Sequence, residues 1–284
     1  MIVVTGASGA VGSALLGELS ASGHPVRAAY RSPARAAQAV AAGQPAVVAD
    51  FSDPATLAPA LDGADAVFLL GAMSPDQAEQ ELNVLSAARA IGVPRVIKLS
   101  VWRADEQLTP IARLHRPVEE ALESSGLGWT FLRPNFYMQN FSRQLSASIR
   151  DDGMFAQPAT SAPISFVDIR DVARVAAQVL TTSGHDGKIY NITGPAALTY
   201  DQAAAIFAQE LDRPVRFIGL SDEQARAGML QRGLPEFYAD ALLEVSRVYR
   251  QGGVGQVTST VHDLTGQPPV TFTQFVRDHR SAFT

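Results

Sequence analysis

An α/β fold, a doubly wound parallel sheet carrying a smaller C-terminal substrate lobe, is what this sequence predicts, and three observations predict it. Short apolar runs alternate with helix-compatible segments through most of the chain. A glycine-rich turn, Gly6-Ala7-Ser8-Gly9-Ala10-Val11-Gly12, stands between the first apolar run and the first helical pattern. After about Pro195 the rhythm changes to helical segments joined by stretches such as Gln251-Gly252-Gly253-Val254-Gly255-Gln256.

In chain order, Met1 to Thr5, Pro25 to Tyr30, Ala46 to Ala49, Ala66 to Leu70, Arg95 to Leu99 and Trp129 to Leu132 read as buried strands, each followed by a helical pattern. Val11, Leu15 and Leu19 recur at four-residue intervals and give the first helix an apolar face for the sheet. Ser32 and Pro33 open the second helix with a capping hydroxyl and a first-turn proline. Asp151-Asp152-Gly153 reads as a turn before Met154-Phe155. Asp168 and Asp171 sit where a helix starts and favour its macrodipole. These patterns place a nucleotide-binding domain at residues 1–195, with an excursion into the lobe near 151–165, and a mainly helical substrate lobe at 196–284.

Composition removes several function classes. The formal net charge is −5 with no basic run, and lysine occurs only at Lys98 and Lys188, which argues against a nucleic-acid surface. Without cysteine there is no disulfide framework, thiolate nucleophile or Cys-type zinc site. His24, His115, His185, His262 and His279 show no metal-ligand spacing, so no metal site is expected. No GxSxG elbow or GK[ST] loop is present. No apolar run approaches membrane-spanning length and the N-terminus enters a strand directly, so the expectation is a soluble cytoplasmic protein with no membrane partner.

The opening turn carries the first functional reading. Glycines at 6, 9 and 12 let the chain turn sharply, approach a ligand and pack the helix closely, while free N–H groups around Ser8, Gly9, Ala10 and Val11 face a pyrophosphate. The spacing is G-x-x-G-x-x-G, and its place between a first strand and a first helix makes it a Rossmann-type dinucleotide turn. Arg31 ends the second strand, with Arg35 one helical turn later. An acidic residue there would grip the ribose of NAD, whereas guanidinium groups match a 2′-phosphate, so NADP(H) is preferred over NAD(H). Asp50 and Phe51, at the end of the third strand, suit the amino group and ring of adenine, although Asp50 could equally cap the Asp53-Pro54 turn. Leu70 and Gly71 at the end of the fourth strand, and Pro134 and Asn135 after the sixth, complete the expected cofactor contacts.

Several stretches together carry a family resemblance: TGASGAVG, the strand-end arginine, ADFSD at 49–53, VIKLSV at 96–101, VEEALESSGLGWTFLRPNF at 118–136 and SFVDIRDVARVAAQVL at 165–180. With them the chain resembles the NmrA-like branch of the atypical short-chain dehydrogenases over nearly its whole length. The resemblance implies one of two activities. One is NADPH-dependent reduction of quinones or azo dyes. The other is nucleotide sensing by a regulator that catalyses nothing and answers to a protein partner.

The chain departs from the wider superfamily at the proton relay. None of the tyrosines at 30, 137, 190, 200, 238 and 249 has a lysine four residues on, so the Tyr-x-x-x-Lys pair is absent. Either no donor is needed, or another residue supplies the proton, or there is no reaction. A quinone that accepts hydride gives a delocalised phenolate, which can dispense with the relay. If a donor exists, the candidates are Ser100 at the end of the fifth strand and His115 on the following helix. Trp102, Phe136, Tyr137, Met138 and Phe141 follow the fifth and sixth strands and suit a flat aromatic substrate, or equally an ordinary core. A small aromatic or quinone-like substrate is expected, and the oligomeric state, a homodimer included, is left open.

Overall fold

The computed structural model describes all residues, Met1–Thr284. The chain runs β1 (Ile2–Val4), α1 (Ala10–Ala21), β2 (Val26–Tyr30), α2 (Pro33–Ala41), β3 (Ala46–Val48), α3 (Leu57–Leu61), β4 (Ala66–Leu69), α4 (Gln77–Ala90), β5 (Arg95–Leu99), α5 (Pro110–Glu123) and β6 (Gly128–Pro134). It continues through α6 (Gln139–Gln144), α7 (Ser146–Asp152), β7 (Met154–Pro158), α8 (Ile169–Thr181) and β8 (Lys188–Ile192). The remainder is α9 (Tyr200–Leu211), β9 (Arg216–Leu220), α10 (Asp222–Gln231), α11 (Glu236–Arg250), α12 (Thr260–Thr265), α13 (Phe272–Asp278) and α14 (Arg280–Phe283).

All six expected apolar runs form strands. The seven-stranded sheet has the order β3-β2-β1-β4-β5-β6-β8, and its first six strands pair in parallel. The strand order reverses between β1 and β4, the switch point of a doubly wound sheet. Side chains alternate across the strands. Val3, Val67, Leu69, Val96 and Phe131 join a buried cluster with Leu57 and Leu61 of α3, Val84 and Leu85 of α4, and Val118 and Leu122 of α5. Val11, Leu15 and Leu19 of α1 are buried as their spacing predicts. Full burial of each large apolar side chain contributes about 1.5–3 kcal/mol, so this layer holds the strand ends rigidly.

The contacts divide the chain into two compact units. The first comprises residues 1–107, 112–134 and 172–191, and the second 108–111, 135–171 and 192–284. The excursion is therefore longer than the 151–165 read from the sequence. The chain leaves the sheet as soon as β6 ends at Pro134 and rejoins it with α8 and β8. The second unit has its own two-stranded parallel sheet, in which Met154 of β7 faces Arg216 of β9. Its core is aromatic: Phe155, Phe166, Phe207 and Phe272 surround Phe141 at centroid distances of 5.1–5.5 Å. No helix is long and apolar enough to cross a membrane.

Candidate functional site

The glycine turn after β1 is built by close backbone approach. Gly6 has φ +62°, in the left-handed region, and a Cβ on it would lie 2.8 Å from Leu70 Cγ. A Cβ on Gly12 would lie 2.2 Å from the Gly6 carbonyl oxygen, so only glycine lets α1 begin against the turn. Gly9 donates its N–H to Gly6 O at 2.9 Å and occupies the N-cap of α1 without any side-chain cap. The first N–H groups of a twelve-residue helix are thus left for an external acceptor, with Ser8 exposed at the tip. Thr5 braces the floor of the turn: its Oγ1 donates to Phe68 O at 2.9 Å and accepts from Leu70 N at 2.8 Å.

Arg31 and Arg35 are both exposed beside this turn at the end of β2 and the start of α2. Ser32 caps α2 by accepting from Arg35 N at 3.4 Å, as its place before Pro33 predicts. At the end of β3, Asp50 Oδ1 accepts from Ser52 N at 3.0 Å and Ser52 Oγ at 2.8 Å. Those bonds hold its carboxyl below the ordinary value, with a smaller contribution from the Arg31 charge. The cap of the Pro54–Thr56 turn is Asp53, not Asp50. Phe51 is half-buried and packs against the α3–α4 core.

A buried polar cluster, which sequence reasoning did not anticipate, lies at the carboxyl end of β5. Lys98 shares a strand face with Val96 and so points into the layer beneath α4 and α5, fully buried. Its Nζ lies 2.8 Å from Glu81 Oε2, 2.6 Å from Leu99 O and 2.8 Å from His115 Nδ1. Glu81 Oε1 accepts the Gly71 N–H at 2.8 Å, and the Gln77 amide lies 3.3 Å from His115 Nε2. Both ring nitrogens of His115 therefore face buried side chains, Nδ1 the Lys98 amine and Nε2 the Gln77 amide. Burial, and then the Lys98 charge, push its pKa well below the usual histidine value. The signal available in the sequence was a lysine inside the apolar run VIKL, in a chain with only two lysines.

Ser100, two residues beyond Lys98, is buried and its hydroxyl has no hydrogen-bond partner, and the same holds for the indole N–H of Trp102. Arg133 on β6 is held by both oxygens of Glu119, at 2.9 and 2.7 Å, and by Asp105. Glu119 lies one turn beyond His115, so α5 turns two polar groups inward, each onto a basic residue of the sheet. Pro134 ends β6, buried.

In the second unit, Asn135 donates from Nδ2 to Ser165 Oγ and Val254 O, both at 2.8 Å, and accepts at Oδ1 from Phe136 N and Tyr249 Oη. Its amide is fully used there. Met138 and Phe141 are sealed in the core, whereas Phe136 and Tyr137 are half-buried. Phe141, ringed by four other phenylalanines, packs as a core residue. No group of acidic, histidine or cysteine side chains could hold a metal ion.

The NmrA-like family model matches residues 1–267. An NAD(P)H azoreductase of Xenophilus azovorans is 35% identical over 284 residues, covering 100% of this chain and 99% of that protein. A (4-alkanoyl-5-oxo-2,5-dihydrofuran-3-yl)methyl phosphate reductase of Streptomyces griseus is 38% identical over 285 residues, with 100% and 99% covered. Among solved structures, an NADPH-dependent quinone oxidoreductase of Escherichia coli, complexed with NADPH, superposes with a TM-score of 0.90 at 30% identity and full coverage of both chains. The chain belongs to the NmrA-like family, and its relatives include an NAD(P)H azoreductase and an NADPH-dependent quinone oxidoreductase.

Proposed function

We propose that this protein is an NADPH-dependent reductase that passes a hydride to a quinone, an azo compound or a similar conjugated acceptor. The residues present fit the dinucleotide. The cradle that a Cβ at Gly6 or Gly12 would fill, and the uncapped start of α1, suit a pyrophosphate held by the N–H groups of Ser8 to Gly12. Arg31 and Arg35 would take the 2′-phosphate, Asp50 and Phe51 the adenine, and Leu70 and Gly71 the strand-end side of the nucleotide. Pro134 and Asn135 are proposed at the nicotinamide end through their backbone, because the Asn135 side chain is occupied. When bound, the nicotinamide supplies the hydride.

The observation that carries this reading is the missing Tyr-x-x-x-Lys relay. No tyrosine is followed by a lysine at the relay spacing, and both His115 nitrogens face buried side chains. A reaction on this scaffold therefore suits acceptors whose reduced form is a delocalised anion. The acceptors named for the relatives share that chemistry: an azo group, a quinone, and a dihydrofuranone whose double bond is conjugated to carbonyls. Ser100 is the hydroxyl proposed to meet the acceptor, and Trp102 the flat side chain beside it. The test is NADPH consumption against a panel of quinones, azo dyes and unsaturated lactones, with fluorescence titration of NADPH and NADH. Turnover with any conjugated acceptor supports the reading. Tight NADPH binding with no turnover across the panel overturns it in favour of a nucleotide-sensing regulator.

A further inference from the structure

Burying a lysine in a sheet is costly unless every hydrogen of its ammonium finds an acceptor. Lys98 meets that demand: its Nζ donates to Glu81 Oε1 at 3.1 Å and to the Leu99 carbonyl at 2.6 Å, lies 2.8 Å from His115 Nδ1, and has the other Glu81 oxygen 2.8 Å away as its counter-charge. An ammonium donates and cannot accept, so Nδ1 must present its lone pair and the imidazole proton must sit on Nε2. Gln77 faces that proton across 3.3 Å, and the oxygen and nitrogen of a glutamine amide are exchanged by rotation of its terminal torsion. As placed, the Gln77 nitrogen faces the ring and donates to Glu81 Oε1 at 3.4 Å while its oxygen has no partner; turned over, the amide gives up that long bond and its oxygen becomes the acceptor of the Nε2–H.

The same carboxylate reaches further. Glu81 Oε1 accepts the Gly71 N–H at 2.8 Å, and a Cβ at position 71 would lie 2.8 Å from that oxygen. Leu70, next in the chain, donates its N–H to Thr5 Oγ1 at 2.8 Å and fills the space that a Cβ on Gly6 would need. A continuous set of contacts thus runs from His115 on α5 through Lys98, Glu81, Gly71 and Leu70 to the glycine turn.

We propose that Lys98 and Glu81 are positioning residues: together they fix His115 as a neutral imidazole with its proton on Nε2 and pin the Leu70–Gly71 backbone against the glycine turn. His115 in this arrangement is a strut and not the proton donor. The consequence for nucleotide affinity rests on the cofactor assignment proposed above, whereas the imidazole and backbone arrangement does not. The groups facing His115 are Lys98 from β5 and Gln77 from α4; Glu81 of α4 meets Lys98, and on its own helix Arg116 and Glu119 pair with each other.

Full-length protein labelled with 15N at its histidines, without nucleotide, tests the first part by long-range proton–nitrogen correlation. The expected result is a neutral Nε2–H signature for His115 that persists below the ordinary histidine value of about 6.5. An Nδ1–H signature, or titration at that ordinary value, overturns the proposal. Lys98→Met and the near-isosteric Glu81→Gln test the second part, the latter in case the former does not fold. Both should speed hydrogen exchange at the Gly71 amide and weaken NADPH binding by about 3- to 30-fold. Unchanged Gly71 exchange in a folded variant overturns the proposal. If the wild type binds no NADPH at all, the cofactor reading fails, and the imidazole and exchange results decide the positioning role on their own.

Discussion

Replacing Gly12 by alanine places a methyl group 2.2 Å from the Gly6 carbonyl oxygen and 2.7 Å from its carbon. Ordinary contact begins at 3.4 Å, so helix and turn must separate by about 1 Å, and both neighbours are backbone with no rotamer to yield. Overpacking of this kind costs about 1–3 kcal/mol. The separation also moves the N–H groups of α1 away from the acceptor they are proposed to hold, so NADPH affinity should fall about tenfold or more, equivalent to at least ~1.4 kcal/mol. Gly17→Ala is the control: it lies exposed on the same helix with no atom within 4 Å of its Cβ position. It should stabilise the fold by about 0.5–1 kcal/mol and leave binding untouched. Fluorescence titration with NADPH and thermal melting of the three proteins make the comparison. A Gly12→Ala protein that melts and binds as Gly17→Ala does would refute the argument that this turn cradles the dinucleotide.

Other outcomes follow from the same structure. Arg31→Ala should weaken NADPH by about tenfold and NADH hardly at all, because one charge-assisted contact to a phosphate is worth about 1.5–3 kcal/mol; equal losses for both nucleotides would remove Arg31 from the 2′-phosphate. Arg133→Met should cost about 3 kcal/mol by stripping Glu119 of its two-point partner, with Arg116 at 3.1 Å cushioning the loss, and Arg133→Met combined with Glu119→Leu should recover most of it in a chemical denaturation series. Phe141→Ala should cost about 3–5 kcal/mol by opening the aromatic core, with NADPH affinity unchanged in the folded fraction. The lowered pKa of His115 makes stability pH-dependent. Below about 6.5 the unfolded chain takes up a proton that the folded one refuses, so stability is fully present above that value and falls as pH drops toward the folded pKa. The slope is at most about 1.4 kcal/mol per pH unit, and His115→Gln should remove it; His185 shifts in the same direction, so the difference between variant and wild type is the quantity to measure.

The sheet was legible because its central strands are buried on both faces and read as unbroken apolar runs. β8 was not, since KIYNI is an edge strand with three exposed positions, and its polar alternation resembles a loop. β7 and β9 escaped for a different reason: they pair with each other across more than fifty residues of chain, and neither MFAQP nor RFIGL signals a partner. The glycine turn and the Ser32 cap were readable because each depends on one local residue type doing what no other can. The Lys98 cluster draws from α4, β5 and α5, so its members acquire meaning only when the fold brings them together. For the same reason the sequence offers His115 as a candidate donor without showing that its ring lies buried between Lys98 and Gln77.

On the proposed reading, this chain reduces acceptors whose reduced form is a delocalised anion and does not supply a proton through a built relay. The measurement that meets it most directly is the rate of NADPH oxidation with a quinone against that with a simple ketone of similar size, at the same enzyme and NADPH concentrations. A missing general acid is worth roughly 10²–10⁴-fold, so the quinone should be reduced faster by at least about that factor. Equal rates for the two acceptors would mean that a proton donor is at work in this site and would contradict the account.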